Sequence, residues 1–189
     1  KGSRSAILTN QALLTDGAIY TLSMAGSDAA GNEAVVATVT SLNYDVTQPQ
    51  FSNVSPSEGY TNARTMSYIL NETLLEGSII FSGAGGVPDP NSPHTVPLSG
   101  NELTAGAHDN IDLTEVPELV SGASYIINFS GVDAAGNPSE EVQIGPLLYD
   151  NTPPAITVTG PVAGSSVNNS IISYELSEAL SSGTVSWEP

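Results

Sequence analysis

The chain has no cysteine, and only three basic residues, Lys1, Arg4 and Arg64, stand against twenty Asp and Glu. Without cysteine there are neither disulfides nor thiolate metal sites. A formal charge of −17 leaves no basic footprint for a phosphate backbone, so nucleic-acid binding is excluded as a class. An anionic membrane surface would repel the chain too. No apolar run approaches the roughly 20 residues that span a bilayer as a helix, so membrane insertion is not expected. Large side chains are scarce: one Trp, three Phe and seven Tyr must furnish any aromatic core. What is abundant is carboxylate, which favours solubility and offers oxygen ligands to hard cations such as Ca²⁺.

Against these absences stands an internal repeat. Gly26-Ser27-Asp28-Ala29-Ala30-Gly31-Asn32 returns 105 residues later as Gly131-Val132-Asp133-Ala134-Ala135-Gly136-Asn137. The same offset carries Leu14, Gly17 and Tyr20 onto Leu119, Gly122 and Tyr125, and Tyr44-Asp45 onto Tyr149-Asp150. Ser67-Tyr68, Glu72, Leu74 and Gly77 match Ser173-Tyr174, Glu178, Leu180 and Gly183 at an offset of 106, as a single inserted residue would produce. A period of domain length is the signature of an array. It divides the chain into the C-terminal half of one unit at 1–45, a complete unit at 46–150 and the N-terminal half of another at 151–189.

Within the complete unit the apolar pattern has period two. Met66, Tyr68 and Leu70 alternate with polar or small neighbours, as do Tyr125, Ile127 and Phe129, which predicts strands with one buried face. Strands are expected near 51–54, 65–70, 78–82, 94–98, 111–113, 124–132 and 142–148. The glycine-rich stretch 82–86 reads as a loop after the third of them. Leu119-x-x-Gly122-x-x-Tyr125, and its copy Leu14-x-x-Gly17-x-x-Tyr20, have the spacing of a tyrosine corner, in which a Tyr hydroxyl returns to backbone a few residues upstream. Phe81 and its counterpart Trp187 read as core anchors on the third strand of their units, with no binding role.

This corner, followed by Gly-x-Asp-Ala-Ala-Gly-Asn and a Tyr-Asp-x-Thr-x-Pro junction, resembles the bacterial immunoglobulin-like repeats, themselves similar to fibronectin type III modules. The resemblance covers the whole chain and implies an all-β fold, immunoglobulin-like antiparallel β-sandwich repeats in tandem. It further implies an extracellular or cell-surface location in a large adhesin-like or secreted protein, a stalk or extender role, and, in some members, Ca²⁺ that rigidifies the joints. Two rivals stand beside the extender: a glycan- or protein-binding module, and a non-catalytic appendage of a secreted enzyme. Sugar sites favour exposed aromatic platforms, which the assignment of Trp187 to the core disfavours.

The junctions read as stiff. Asp150-Asn151-Thr152-Pro153-Pro154 favours extended backbone, and Asp45-Val46-Thr47-Gln48-Pro49 is a looser version. At the end of the complete unit where the chain enters, five oxygen-bearing side chains are expected to gather: Asp45, Glu72, Glu76, Asp133 and Asn137. Ca²⁺ takes about 6–8 oxygens, so these form a candidate partial cage. The same Asp-Ala-Ala-Gly-Asn segment is also a good hairpin turn in its own right, with Asp capping amides and Gly supplying positive φ. Asp109-Asn110-Ile111-Asp112 is a weaker second candidate, since its counterpart in the first unit holds no acid.

Catalysis is not expected. His94 and His108 read as ordinary exposed histidines without a nucleophile motif, and the 82–86 glycines lack the Lys and the following helix of a phosphate cradle. The outer units carry complementary apolar sets, Tyr20, Leu22 and Met24 against Ile172, Tyr174, Leu176, Val185 and Trp187. Besides neighbouring repeats of the same chain, the expected partner is therefore a second copy, through head-to-tail pairing of these halves.

Overall fold

The computed structural model describes residues 2–5, 7, 13–112 and 118–189. In chain order the strands are β1 (Ala18–Met24), β2 (Ala37–Tyr44), β3 (Phe51–Ser55), β4 (Gly59–Thr61), β5 (Thr65–Leu70), β6 (Leu74–Gly86), β7 (His94–Pro97), β8 (Gly106–Asp112), β9 (Ala123–Asp133), β10 (Val142–Tyr149), β11 (Ile156–Gly160) and β12 (Ser173–Leu176). A 3-10 turn at Gly100–Leu103 is the sole helical element among the described residues, and no helix there is long and apolar enough to cross a membrane.

Strands β3 to β10 build an all-β sandwich. One sheet runs β3-β5-β8 and the other β4-β10-β9-β6-β7. Every pairing is antiparallel except the short parallel contact of β4 with β10. The flanking pairs β1–β2 and β11–β12 form separate two-stranded sheets.

Alternation places the core as expected. Met66, Tyr68 and Leu70 of β5 and Tyr125, Ile127 and Phe129 of β9 are all buried, while their neighbours stay half-exposed. Phe129 sits between the sheets with its ring centroid 5.5 Å from Phe51 and 6.0 Å from Tyr68. Full burial of each such side chain stabilises the fold by about 1.5–3 kcal/mol. Both tyrosine corners form: the Tyr125 hydroxyl accepts the Val120 N–H at 2.9 Å, and that of Tyr20 accepts the Thr15 N–H at 2.8 Å. The motif requires its glycine, because Gly122 and Gly17 turn the corner at φ 82° and 73°.

Four expectations change. The 82–86 stretch is not a loop: β6 runs through Gly86, held by pairing of Gly83, Gly85 and Gly86 with Tyr125, Ser124 and Ala123. Strand β8 begins at Gly106 rather than near 111, because β5 lends its edge to Ala107 and Gly106, while Leu113 lies outside the described residues. Strand β4 has no alternation to reveal it and exists through its contact with β10. Trp187, expected in a core, is 57% exposed.

His94 is likewise not exposed. It is 9% exposed, and its Nε2–H donates to the Asp89 carboxylate at 2.6 Å. The Tyr125 hydroxyl donates to the same oxygen at 2.7 Å. His108 stacks on Tyr68 with ring centroids 4.7 Å apart.

The Tyr125 bond first, and then His94, hold the Asp89 carboxyl down at about 2, against the opposing effect of burial. Burial and Asp89 in turn push the Tyr125 hydroxyl up to about 12. A carboxyl depressed by folding stabilises the fold above its unfolded value and loses that contribution as pH falls through its folded one. Stability should therefore decline between about pH 4 and pH 2. Urea midpoints measured across that range should show a shallower decline for Asp89→Asn.

Candidate metal centre

The Asp-Ala-Ala-Gly-Asn segment is a capped turn in both its copies. Asp133 Oδ1 accepts the N–H groups of Ala135 and Asn137, each at 2.8 Å, and Oδ2 accepts Asn137 Nδ2–H at 2.8 Å. Asp28 makes the same three bonds to Ala30 and Asn32. Gly136 and Gly31 close the turns at φ 93° and 88°, where a side chain would be strained. Local sequence alone thus accounts for the geometry.

The copies differ in what surrounds them. Asp28 is exposed, whereas Asp133 is 2% exposed. Asn137 also donates through Nδ2 to the backbone oxygen of Asp45 at 3.1 Å, which ties the turn to the incoming junction. That junction is itself braced. Asp16 accepts the Val46 N–H at 2.8 Å and the Thr47 hydroxyl at 2.6 Å, while Asp45 accepts the Thr47 N–H at 3.0 Å. Asn71 Oδ1 accepts the Gln50 N–H at 2.7 Å from the β5–β6 connection.

Three carboxylates converge there. Asp45, Glu72 and Asp133 each offer an oxygen, and these oxygens all lie within 4.8 Å of one another. Burial, then the charges of Asp45, Asp133 and Asp16, push the Glu72 carboxyl above its ordinary value. Its Oε1 is buried without a hydrogen-bond partner. For Asp133, burial is the largest influence and opposes ionisation, yet the Asn137 amide and the turn N–H groups hold it below the ordinary range. Hydrogen bonds from Thr47 and Val46 lower Asp16 likewise. Among the described residues no salt bridge reaches the three carboxylates. A shallow cavity of about 280 Å³, lined by Asp16, Gly17, Asp45, Thr47, Asn71 and Glu72, opens onto two of them, Asp45 and Glu72.

This is an all-oxygen donor set with uncompensated negative charge, an orphaned buried oxygen and an entry path, and it can hold a metal ion. Of the five residues singled out from the sequence, the fold brings Asp45, Glu72 and Asp133 into one cluster and makes Asn137 their bracket. Glu76 lies apart: a register shift between Leu74 and Glu76 carries it along β6, where it is exposed. Asp16 was not foreseen. Its repeat counterpart is Ser121, so comparison of the two copies conceals an acid that only the first junction possesses. Asp109 and Asp112 are exposed on β8 and belong to no metal-sized group among the described residues.

The fold and this cluster together define an antiparallel β-sandwich with a carboxylate group at the joint where the chain enters. Compared with models of known protein families and with curated proteins, the chain matches none.

Proposed function

We propose that the chain is a structural extender: immunoglobulin-like sandwiches strung in tandem in a secreted or surface-anchored bacterial adhesin-like protein, stiffened at the joint by Ca²⁺. The observation that carries this reading is the meeting of a junction residue, Asp45, with Glu72 and Asp133 of the sandwich it enters. An ion held by all three would couple the linker to the domain beyond it, and Asp16 extends the negative field back to the β1–β2 side.

Ca²⁺ is the metal proposed for this all-oxygen donor set. Oxygens on opposite sides of Ca²⁺, bound at about 2.3–2.6 Å, stand roughly 5 Å apart, whereas Mg²⁺ at about 2.0–2.1 Å draws them to roughly 4 Å. The three carboxylate oxygens, all within 4.8 Å of one another, fall inside the span of a Ca²⁺ shell. With three carboxylates and the rest of the shell left to water, binding in the 10⁻⁴–10⁻³ M class typical of extracellular modules is the natural range.

Thermal melts in millimolar Ca²⁺ and in EDTA test the proposal. At about 10 mM Ca²⁺, roughly tenfold to a hundredfold over such a Kd, binding to the native state alone adds about 1.4–2.7 kcal/mol. Glu72→Gln should abolish the Ca²⁺ response. In EDTA the same variant should melt above the parent, for a reason of sign. A carboxyl raised by folding contributes stability below its unfolded value and loses it as pH rises through the folded one, so ionised Glu72 opposes the fold at neutral pH. Coincident melts of the parent with and without Ca²⁺ would reduce the chain to a metal-independent spacer.

A further inference from the structure

The glycines near the end of β6 leave one edge of that strand without a partner. On one side β6 stays paired with β9 as far as Gly86 opposite Ala123. On the other, its ladder with β7 stops at Phe81 opposite His94. Continued in the same register, that ladder would set Gly83 against Ser92, Ala84 against Asn91, Gly85 against Pro90 and Gly86 against Asp89.

The segment that should fill those places cannot do so. Pro90 and Pro93 carry no N–H. The Asn91 N–H donates to Asp89 Oδ1 at 3.0 Å and the Ser92 N–H to the Asp89 carbonyl at 3.3 Å, so these donors turn inward on their own loop. Bonds from Tyr125 and His94 to the Asp89 carboxylate fasten that loop to the sandwich. The Gly83 N–H finds a substitute in the Ser92 hydroxyl, which accepts it at 2.6 Å where a strand would offer a carbonyl. Beyond that point no strand of the described residues pairs with β6 on this side. A depression of about 440 Å³ lies between edge and loop, with Gly83, Gly85, Gly86, Pro88, Asp89 and Ser92 in its lining.

Free edges are normally guarded by charge, proline, shortness or a bulge. The other edges of this sandwich are: β8 carries exposed Asp109 and Asp112, β7 has Pro97, β4 has three residues, and a register shift around Asn53 breaks β3. From Ser82 to Gly86 there is no charge and no proline, and three of the five residues have no side chain to bar an approaching backbone. Backbone groups in need of partners specify an occupant that brings its own N–H and C=O groups in extended form.

We propose that the Ala84–Gly86 edge of β6 takes up an extended peptide segment of a partner protein as an added strand, in the place that β7 vacates. Main-chain hydrogen bonds supply the affinity, and the shallow, nearly side-chain-free wall selects small or β-branched uncharged residues. The net charge of −17 selects the flanks, drawing in a segment bordered by Lys or Arg and repelling an acidic one. The site lies wholly in the central sandwich and shares no residue with the carboxylate cluster, so it stands or falls separately from the metal proposal.

The probe is a capped peptide, Lys-Thr-Val-Thr-Val-Lys, titrated into the full chain up to about 5 mM and followed by backbone amide NMR, in the range where weak main-chain docking is measurable. Saturable shifts are expected at Ala84, Gly85, Gly86 and Ser92. N-methylation of alternate residues of the peptide should weaken binding about tenfold or more for the set that faces β6, and should be tolerated for the other set. The same peptide with Glu flanks should bind more weakly, by a margin that shrinks as salt is added. An absence of shifts, shifts confined to the carboxylate joint or to the β3 and β8 edges, equal binding of the two N-methylated peptides, or equal binding of the Lys- and Glu-flanked peptides would each overturn the proposal.

Discussion

Phe129→Ala is expected to destabilise the central sandwich by about 3–5 kcal/mol, the range for deletion of a buried aromatic side chain. Phe129 is 0% exposed, and its ring lies against Phe51 from one sheet edge and Tyr68 from the strand beside it. The three rings form the aromatic centre of a core with no disulfide to share the load. The walls cannot collapse into the vacated space, because Ile79 and Ile127, also 0% exposed, are held in register on neighbouring strands. Small domains are stable by only about 5–15 kcal/mol, so the loss is a large fraction of the total. Urea unfolding followed by near-UV circular dichroism measures it. Met24→Ala, at the equivalent position of the first unit and 67% exposed, should move the same transition by less than about 0.5 kcal/mol. Equal effects of the two substitutions would mean that the central core is not where the structure places it.

Asp133→Ala should lower the melting temperature by about 5 °C or more even in EDTA, and should erase any Ca²⁺ response. The first effect is structural. Removal of the carboxylate orphans the Ala135 and Asn137 N–H groups and frees the Asn137 amide that also grips Asp45. These bonds are part-buried, so water replaces the lost acceptor less well than it does at an exposed turn. Asp28→Ala breaks the same three bonds where water can replace them, and should have a much smaller effect. The second effect separates turn from cage. A variant that still gains stability from Ca²⁺ without Asp133 would move the ion elsewhere, whatever its effect on the turn. Glu72→Gln and Asp133→Ala thus share the loss of the metal response and differ in sign without metal.

The carboxylates illustrate how far local pattern reaches. Asp133 was legible because its turn is written in five consecutive residues and written twice. Asp45 and Glu72 followed from topology, since the entry strand and the β5–β6 connection share one end of a sandwich. Glu76 was misjudged because a bulge in β6 shifts register just before it. Asp16 was invisible because its role is fixed by bonds to Val46 and Thr47, some thirty residues on. His94 belongs with Asp16: nothing near it in the chain announces burial, which comes from Asp89 and from Tyr125 on another strand.

The sequence by itself determined the all-β character, the alternating faces of β5 and β9, both tyrosine corners and the Asp-capped turns. Each of these is specified by residues within about one strand length of one another, through side-chain alternation, a φ that only glycine takes easily, or a carboxylate beside the amides it caps. Only the tertiary structure decided that β4 exists, that the glycines of 83–86 are strand, that β8 starts at Gly106, and that Asp16 and not Glu76 stands beside Asp45, Glu72 and Asp133 at the joint. Those features depend on hydrogen bonds and charges between segments distant in the chain. A partner strand or a neighbouring carboxylate leaves no mark on the residues that meet it until the fold has brought them together.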